Sequence, residues 1–404
     1  MGTEDEYIVV ETKISPTFYQ DFACIMDRCQ HNCCTGGWKI SFNKKDYLKI
    51  KRAKKTSEVE EITKRAVKRL PDGKRTEEAY AELINTPDVP CLYQDEKGLC
   101  LLQLTCGEDT LPKVCQMFPR SIQNSAMGKF YTLSTACEAV VELLWNLPQG
   151  IDFVEDALPR NEIFHTRRTR EYDLQPLLIS TTIDILQARA FTVSQRLLLL
   201  GMVLQDVKNT GFTDLQEEQW EKKVELLLGH PEMFQEIETS TQNKHIALVQ
   251  QYEHMRNLML NKYWDKLFLR FSSLQKTEEH KLKTVLNLPL YLQCKEQMDS
   301  YFGDIEYFWE NILVNLCFWM QIPWIESEKK LWQSYINLCN IYSFFRVASV
   351  MACDMEPTKE KLFQSIVMCS RVLLHDRSRM DQWTNNFQTT GSESLAHMAL
   401  LVQL

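Results

Sequence analysis

The chain has 404 residues, 44% hydrophobic and 25% charged, with a formal net charge of −8. That profile belongs to a folded protein facing water and excludes disordered or fibrous chains. An acidic balance also argues against a general nucleic-acid binder, which needs a cationic surplus to neutralise phosphates.

The N-terminal string MGTEDEYIVVETKISP is acidic and lacks a long apolar stretch, so it does not read as a secretory signal. No run reaches the roughly 18 uninterrupted apolar residues of a membrane span. The densest, NILVNLCFWMQIPW, is short and holds Asn, Gln and Pro. The expectation is a cytoplasmic protein with neither a membrane nor a nucleic acid as partner. Residues 6–42 read as an extended lead-in and a cysteine-bearing loop, where Gly36 and Gly37 supply backbone freedom. Apolar residues at every third or fourth position predict one helix over 44–70, ended by the turn string PDGKR. Residues 44–75 carry thirteen Lys or Arg against five Asp or Glu, a local +8. Such a run is a solvated helical face or, in the sharper reading, a docking surface for an acidic macromolecule. Residues 86–120 alternate turns and short segments, and KFYTLS reads as a strand leading to Cys137 and a helix start.

After LWNLPQG the character changes. Only five glycines occur in the last 254 residues. Amphipathic stretches over 178–208, 214–228, 231–273, 278–301, 304–321, 325–353, 357–385 and 393–404 predict an all-α region. The expected fold class is therefore mainly α. A small, cysteine-rich, mostly irregular metal-binding domain (1–145) is expected to pack on a larger all-α domain (146–404).

Nine of the fourteen cysteines fall in the first 137 residues. One group is Cys24, Cys29, Cys33 and Cys34; the second is Cys91, Cys100, Cys106 and Cys115; Cys137 follows. In a reducing compartment, clustered thiols read as metal ligands before disulfides. Four thiolates suit tetrahedral zinc or a four-iron cluster. The spacing is not that of a zinc ribbon, which pairs cysteines across two residues. Spacing alone goes no further than a cysteine-bound metal centre, and a purely structural metal fits it equally. Cys294, Cys317, Cys339, Cys353 and Cys369 stand singly among apolar neighbours and read as core.

Phe22-x-Cys24, Cys29-x-x-x-Cys33-Cys34, Gly37-Trp38-Lys39-Ile40, Pro90-Cys91, Gly98-Leu99-Cys100, Gly107-Glu108, Cys115-x-x-Phe118-Pro119-Arg120 and Leu133-Ser134-x-x-Cys137 together resemble the flagellin lysine-N-methylase family. The cysteine-rich part also resembles zinc- or iron-chelating domains. The helical half keeps the likeness at Arg196–Gly201, Glu310–Asn315 and Ser370-Arg371-Val-Leu-Leu-His375.

The resemblance implies methyl transfer from S-adenosylmethionine to surface lysines of flagellin, with a [4Fe-4S] cluster, or zinc as the alternative. Its ligands would come from Cys24, Cys29, Cys33, Cys34, Cys91, Cys100, Cys115 and Cys137. A set built on 29–34 with Cys100 and Cys115 is preferred, because Cys24, Cys91 and Cys137 stand farther from the double cysteine. No glycine-rich nucleotide turn is present. The site residues implied are His375 as base, Arg371 as carboxylate binder on the same helical face, Glu108 as a partner for the lysine ammonium, and Trp38 and Arg120 against the cofactor. Blander readings stand beside these: a helix-end pair for Arg371 and His375, a helix cap for Glu108, a core ring for Trp38. The alternative function is a non-enzymatic metal-chelating or redox-sensing module whose helices bind a partner.

Overall fold

Strands open the chain in the computed structural model, which describes residues 7–35, 40–85, 89–125, 127–167, 170–234, 240–258, 262–276, 282–375 and 393–404. They are β1 (Tyr7–Val10) and β2 (Thr12–Pro16), the second ended by a proline that has no N–H for a ladder. After the cysteine loop come β3 (Ile40–Phe42), α1 (Lys44–Arg52), α2 (Ser57–Ala66), β4 (Val67–Arg69) and β5 (Ala81–Leu83). The single helix expected over 44–70 is thus two helices and a strand. Thr56 starts the second helix by accepting the Val59 N–H at 3.3 Å, and this cap interrupts an otherwise continuous apolar period. Strands β3, β5 and β4 form an antiparallel sheet in that order. With α3 (Leu101–Cys106) and α4 (Lys113–Met117) nearby, residues 40–111 enclose a small core of their own around Ile50, Val59, Leu83, Cys91, Tyr93 and Leu102.

The chain then adds β6 (Arg120–Asn124), β7 (Lys129–Leu133), α5 (Glu138–Trp145), β8 (Phe153–Ala157) and β9 (Phe164–Arg167). A second sheet runs β6-β7-β2-β8, with β2 and β7 parallel, and β1 pairs with β9. These sheets correct the expectation of a mostly irregular N-terminal part. Phe130 of β7 stacks on Phe318 at 4.1 Å and 9°, and Ile14 and Ile179 complete that contact, which presses the sheet onto the helices.

The remainder is mainly helical: α6 (Arg170–Leu186), α7 (Val193–Thr210), α8 (Glu217–Gly229), α9 (Thr241–Leu258) and α10 (Lys262–Arg270). The hairpin β10 (Ser272–Lys276) and β11 (Leu282–Leu286) precedes α11 (Leu288–Phe302), α12 (Glu306–Met320), α13 (Glu328–Cys353), α14 (Lys359–Leu373) and α15 (Leu395–Leu401). The hairpin overturns the helix expected from 278. Asn287 accepts the Leu290 N–H and sets the true start of α11 after the strand. A capping box of Thr192 and Gln195 likewise divides the helix expected over 178–208. Helix α13 is long and apolar enough to cross a membrane by length and composition, although it has no uninterrupted apolar run of that length, and 94% of its most apolar window is buried in the fold.

Two buried devices of α12 hold its neighbours, one within the helical half and the other across to the first half. Glu310, 1% exposed, accepts from Arg196 at 2.7 Å and from Arg189 at 2.9 Å. Asn311 Nδ2 donates to the carbonyls of Leu144 and Leu147, and Asn315 Nδ2 to that of Leu133. The donors to Leu144 and Leu133 satisfy carbonyls near the ends of α5 and β7, while Leu147 O also accepts the Gly150 N–H.

Candidate functional site

The cysteine loop 24–35 is built from short 3-10 turns, and Asn32 organises the last one by accepting the N–H groups of Cys34 and Thr35 at 3.1 Å. Cys34 donates to Cys33 and to Cys91, so the hydrogen bond pulls both acceptors down, Cys33 to about 7, and pushes Cys34 up. The backbone repeats the contact, since Cys91 N–H donates to Cys34 O at 2.8 Å. Cys91 therefore touches the double cysteine, whereas the sequence placed it farther away. Cys100, at the start of α3, and Cys115, in α4, feel the charges of Cys33 and Cys91, and burial raises both. Cys106 stands apart and donates to Lys54 O.

A second set of thiols surrounds Arg371. Cys29 donates to Glu138 at 3.5 Å, and burial, then Glu138, push it up to about 12. Glu138 also accepts the His31 N–H at 2.9 Å. Cys137, which caps α5, lies near Cys24 and Cys33, and burial lifts it to about 11. The Arg371 guanidinium donates to the carbonyls of His31 and Ala136. Burial lowers its pKa, while Cys33, Cys29, Cys137 and Glu138 oppose that shift. A buried guanidinium is tolerated here because two backbone carbonyls accept from it and the Glu138 carboxylate lies near. Cys33, felt in both sets, joins them.

The turn 134–136 fastens this loop to the last long helix. Ser134 Oγ lies 2.9 Å from His375 Nε2, Thr135 Oγ1 lies 2.7 Å from Ser370 Oγ, and Ala136 O accepts from Arg371. His375 is flanked by the rings of Phe118 and Trp319, with centroids at 6.2 and 5.9 Å. Part of the residue remains open to solvent. Desolvation of the ring, then the Arg371 charge, push it down to about 4, so the imidazole is neutral near pH 7.

The other expected site residues fall elsewhere. Glu108 lies on an exposed turn, its carbonyl accepting from Gln116, and α4 starts without a side-chain cap. Arg120 donates to Phe22 O at 3.3 Å with its guanidinium 4.7 Å from the Phe22 ring. It thereby holds the entrance of the cysteine loop. Trp38 lies outside the described residues. Ser134, Glu138 and Trp319 were not singled out by sequence. Ser134 stood inside a matching string and Glu138 directly after Cys137, but nothing in their spacing announces a partner more than one hundred residues away.

Residues 180–401, more than half of the chain, match the family model of the FliB lysine N-methylase C-terminal domain. The chain belongs to this family. The match covers most of α6 through α15, so Arg371 and His375 lie inside it and the clustered thiols outside it. No curated protein and no solved structure matches the chain. Among the described residues, no group of three or more His, Cys, Asp or Glu side chains is arranged to hold a metal ion. The donor type suits a soft metal, but the thiols as placed do not close around one.

Proposed function

We propose that this chain is a protein-lysine N-methyltransferase that uses S-adenosylmethionine and acts on flagellin. The observation that carries the proposal is the match to the FliB lysine N-methylase C-terminal domain over residues 180–401. Support comes from the junction, where Leu133–Cys137 meets Ser370–His375 through three hydrogen bonds. Both strings carry the family resemblance, one in each half.

S-adenosylmethionine would supply a methyl group on a sulfonium, and the acceptor lysine must first be neutral to attack it. Of the expected residues, His375 is neutral near pH 7 and can accept a hydrogen bond, but a ring pushed down to about 4 is a weak base toward a lysine ammonium. Arg371 keeps the thiol loop against α14 by its two carbonyl contacts. A cysteine-bound iron–sulfur cluster, with zinc as the alternative, remains part of the proposal on donor chemistry alone. Cys33, Cys34 and Cys91, with Cys100 and Cys115, are the thiols to supply it.

The test is an anaerobic preparation incubated with purified flagellin and methyl-labelled S-adenosylmethionine. Label appearing on flagellin lysines by peptide mass spectrometry is the expected result. Absence of label, together with no calorimetric binding of S-adenosylmethionine, overturns the proposal and favours a non-enzymatic metal module.

A further inference from the structure

His375 has two ring nitrogens, and the surroundings of one decide where its proton sits. Nε2 faces Ser134 Oγ at 2.9 Å. That oxygen already accepts the Ala136 N–H at 3.2 Å, an interaction fixed by the turn before Cys137. The Ser134 N–H is itself bound to Pro119 O at 2.9 Å, and the residue is 1% exposed. A hydroxyl held in this way, with one lone pair engaged, has its proton free to donate toward the ring. Phe118 and Trp319 fix the plane of the imidazole from neighbouring elements.

We propose that Ser134 is a positioning residue that donates to Nε2 of His375 and so places the imidazole proton on Nδ1. The proposal concerns the same ring as the role given to His375 above and specifies which nitrogen carries its proton and which its lone pair. The neutral ring then has a defined acceptor side at Nε2 and a defined donor side at Nδ1, as residues that orient histidines elsewhere achieve. Among the described residues, Arg371, one turn earlier on α14, places a positive charge near this ring.

The experiment is nitrogen NMR of the full-length protein carrying labelled histidine, with the His375 signals assigned by their loss in His375→Gln. In the unsubstituted protein the expected spectrum is that of a single Nδ1-protonated tautomer, unchanged between pH 8 and about pH 5. Ser134→Ala is expected to give a mixture of tautomers and a titration midpoint raised by about one pH unit. Ser134→Thr, which restores a hydroxyl, is expected to return the single tautomer. An Nε2-protonated ring in the unsubstituted protein, or an unchanged tautomer in Ser134→Ala, overturns the proposal. If the spectra behave as expected but flagellin gains no methyl group, the tautomer assignment stands and the enzymatic reading falls.

Discussion

Arg371 and His31 are 340 positions apart in the chain, yet the guanidinium of one donates to the backbone carbonyl of the other. The same side chain donates to Ala136 O at 3.2 Å, so one buried cation joins the thiol loop, the turn before α5 and the last long helix. Arg371→Met is expected to remove both contacts and leave two carbonyls without their donor. Loss of stability by about 2–3 kcal/mol in a denaturant titration is the expected result. Arg371→Lys keeps the charge but not the planar fork, and is expected to recover only part of it. A Met variant as stable as the unsubstituted protein would show that this bridge contributes nothing.

Glu310 provides a second test, of how α12 is held to α7 and the segment before it. Its carboxylate meets Arg196, 3% exposed, in the interior and the solvent-exposed Arg189 on the other side. Glu310→Gln is expected to cost about 3–5 kcal/mol, because a buried guanidinium then loses its counter-charge. Replacing Glu310 and Arg196 together by apolar residues of similar size should be milder than Glu310→Gln alone. Equal losses would contradict the ion-pair explanation.

Gly201 is fixed by packing, not by backbone conformation. A Cβ there would lie 2.2 Å from the Tyr335 hydroxyl and 2.6 Å from Leu395 of α15. Tyr335 is fully buried and has nowhere to move. Gly201→Ala is expected to destabilise by about 1–3 kcal/mol. The penalty should shrink in a Tyr335→Leu background, as measured by a double-mutant cycle. Additive effects would mean that the strain lies elsewhere.

Acid should weaken the fold partly through His375. Its folded pKa, about 4, lies below the ordinary histidine value near 6.5. Above the unfolded value both states are neutral, and this contribution to stability is complete. As pH falls from 6.5 toward 4, the unfolded chain takes up a proton that the folded ring refuses, and stability is lost. His375→Gln is therefore expected to flatten the acid limb of a stability–pH curve. An identical limb in the variant would remove His375 from this account.

For the thiols, the expected separation is between Cys34 and Cys106. Cys34 touches Cys33 and Cys91, whereas Cys106 donates to the Lys54 carbonyl. If the proposed cluster is bound, Cys34→Ser is expected to lose most iron and sulfide in anaerobic preparations while Cys106→Ser keeps them. Zinc in place of iron in the unsubstituted protein would decide for the alternative metal. Equal content in both variants would exclude Cys34 as a ligand.

Helices were the most legible part of the sequence. The glycine-poor second half, with its apolar periods, resolves into α6 to α15. Helix boundaries in both halves were less legible, because Thr56, Thr192 and Asn287 cap helices through single side-chain hydrogen bonds within stretches whose periodicity does not change. The hairpin β10–β11 was missed for a related reason: LKTVL satisfies a helical pattern and a strand equally until its partner SSLQK is known.

By itself the sequence determined that this protein is mainly helical, that its thiols crowd into the first third, and which family its strings resemble. Those are properties of composition, period and local pattern, all readable within short windows of chain. Only the tertiary structure decided that Cys91 contacts Cys34, that Ser134 faces His375, and that Arg371 bridges His31 to Ala136. Each of those pairings spans tens to hundreds of residues. Its partner is chosen by how the sheet β6-β7-β2-β8 and helices α5, α12 and α14 pack, a choice that no local window of sequence contains.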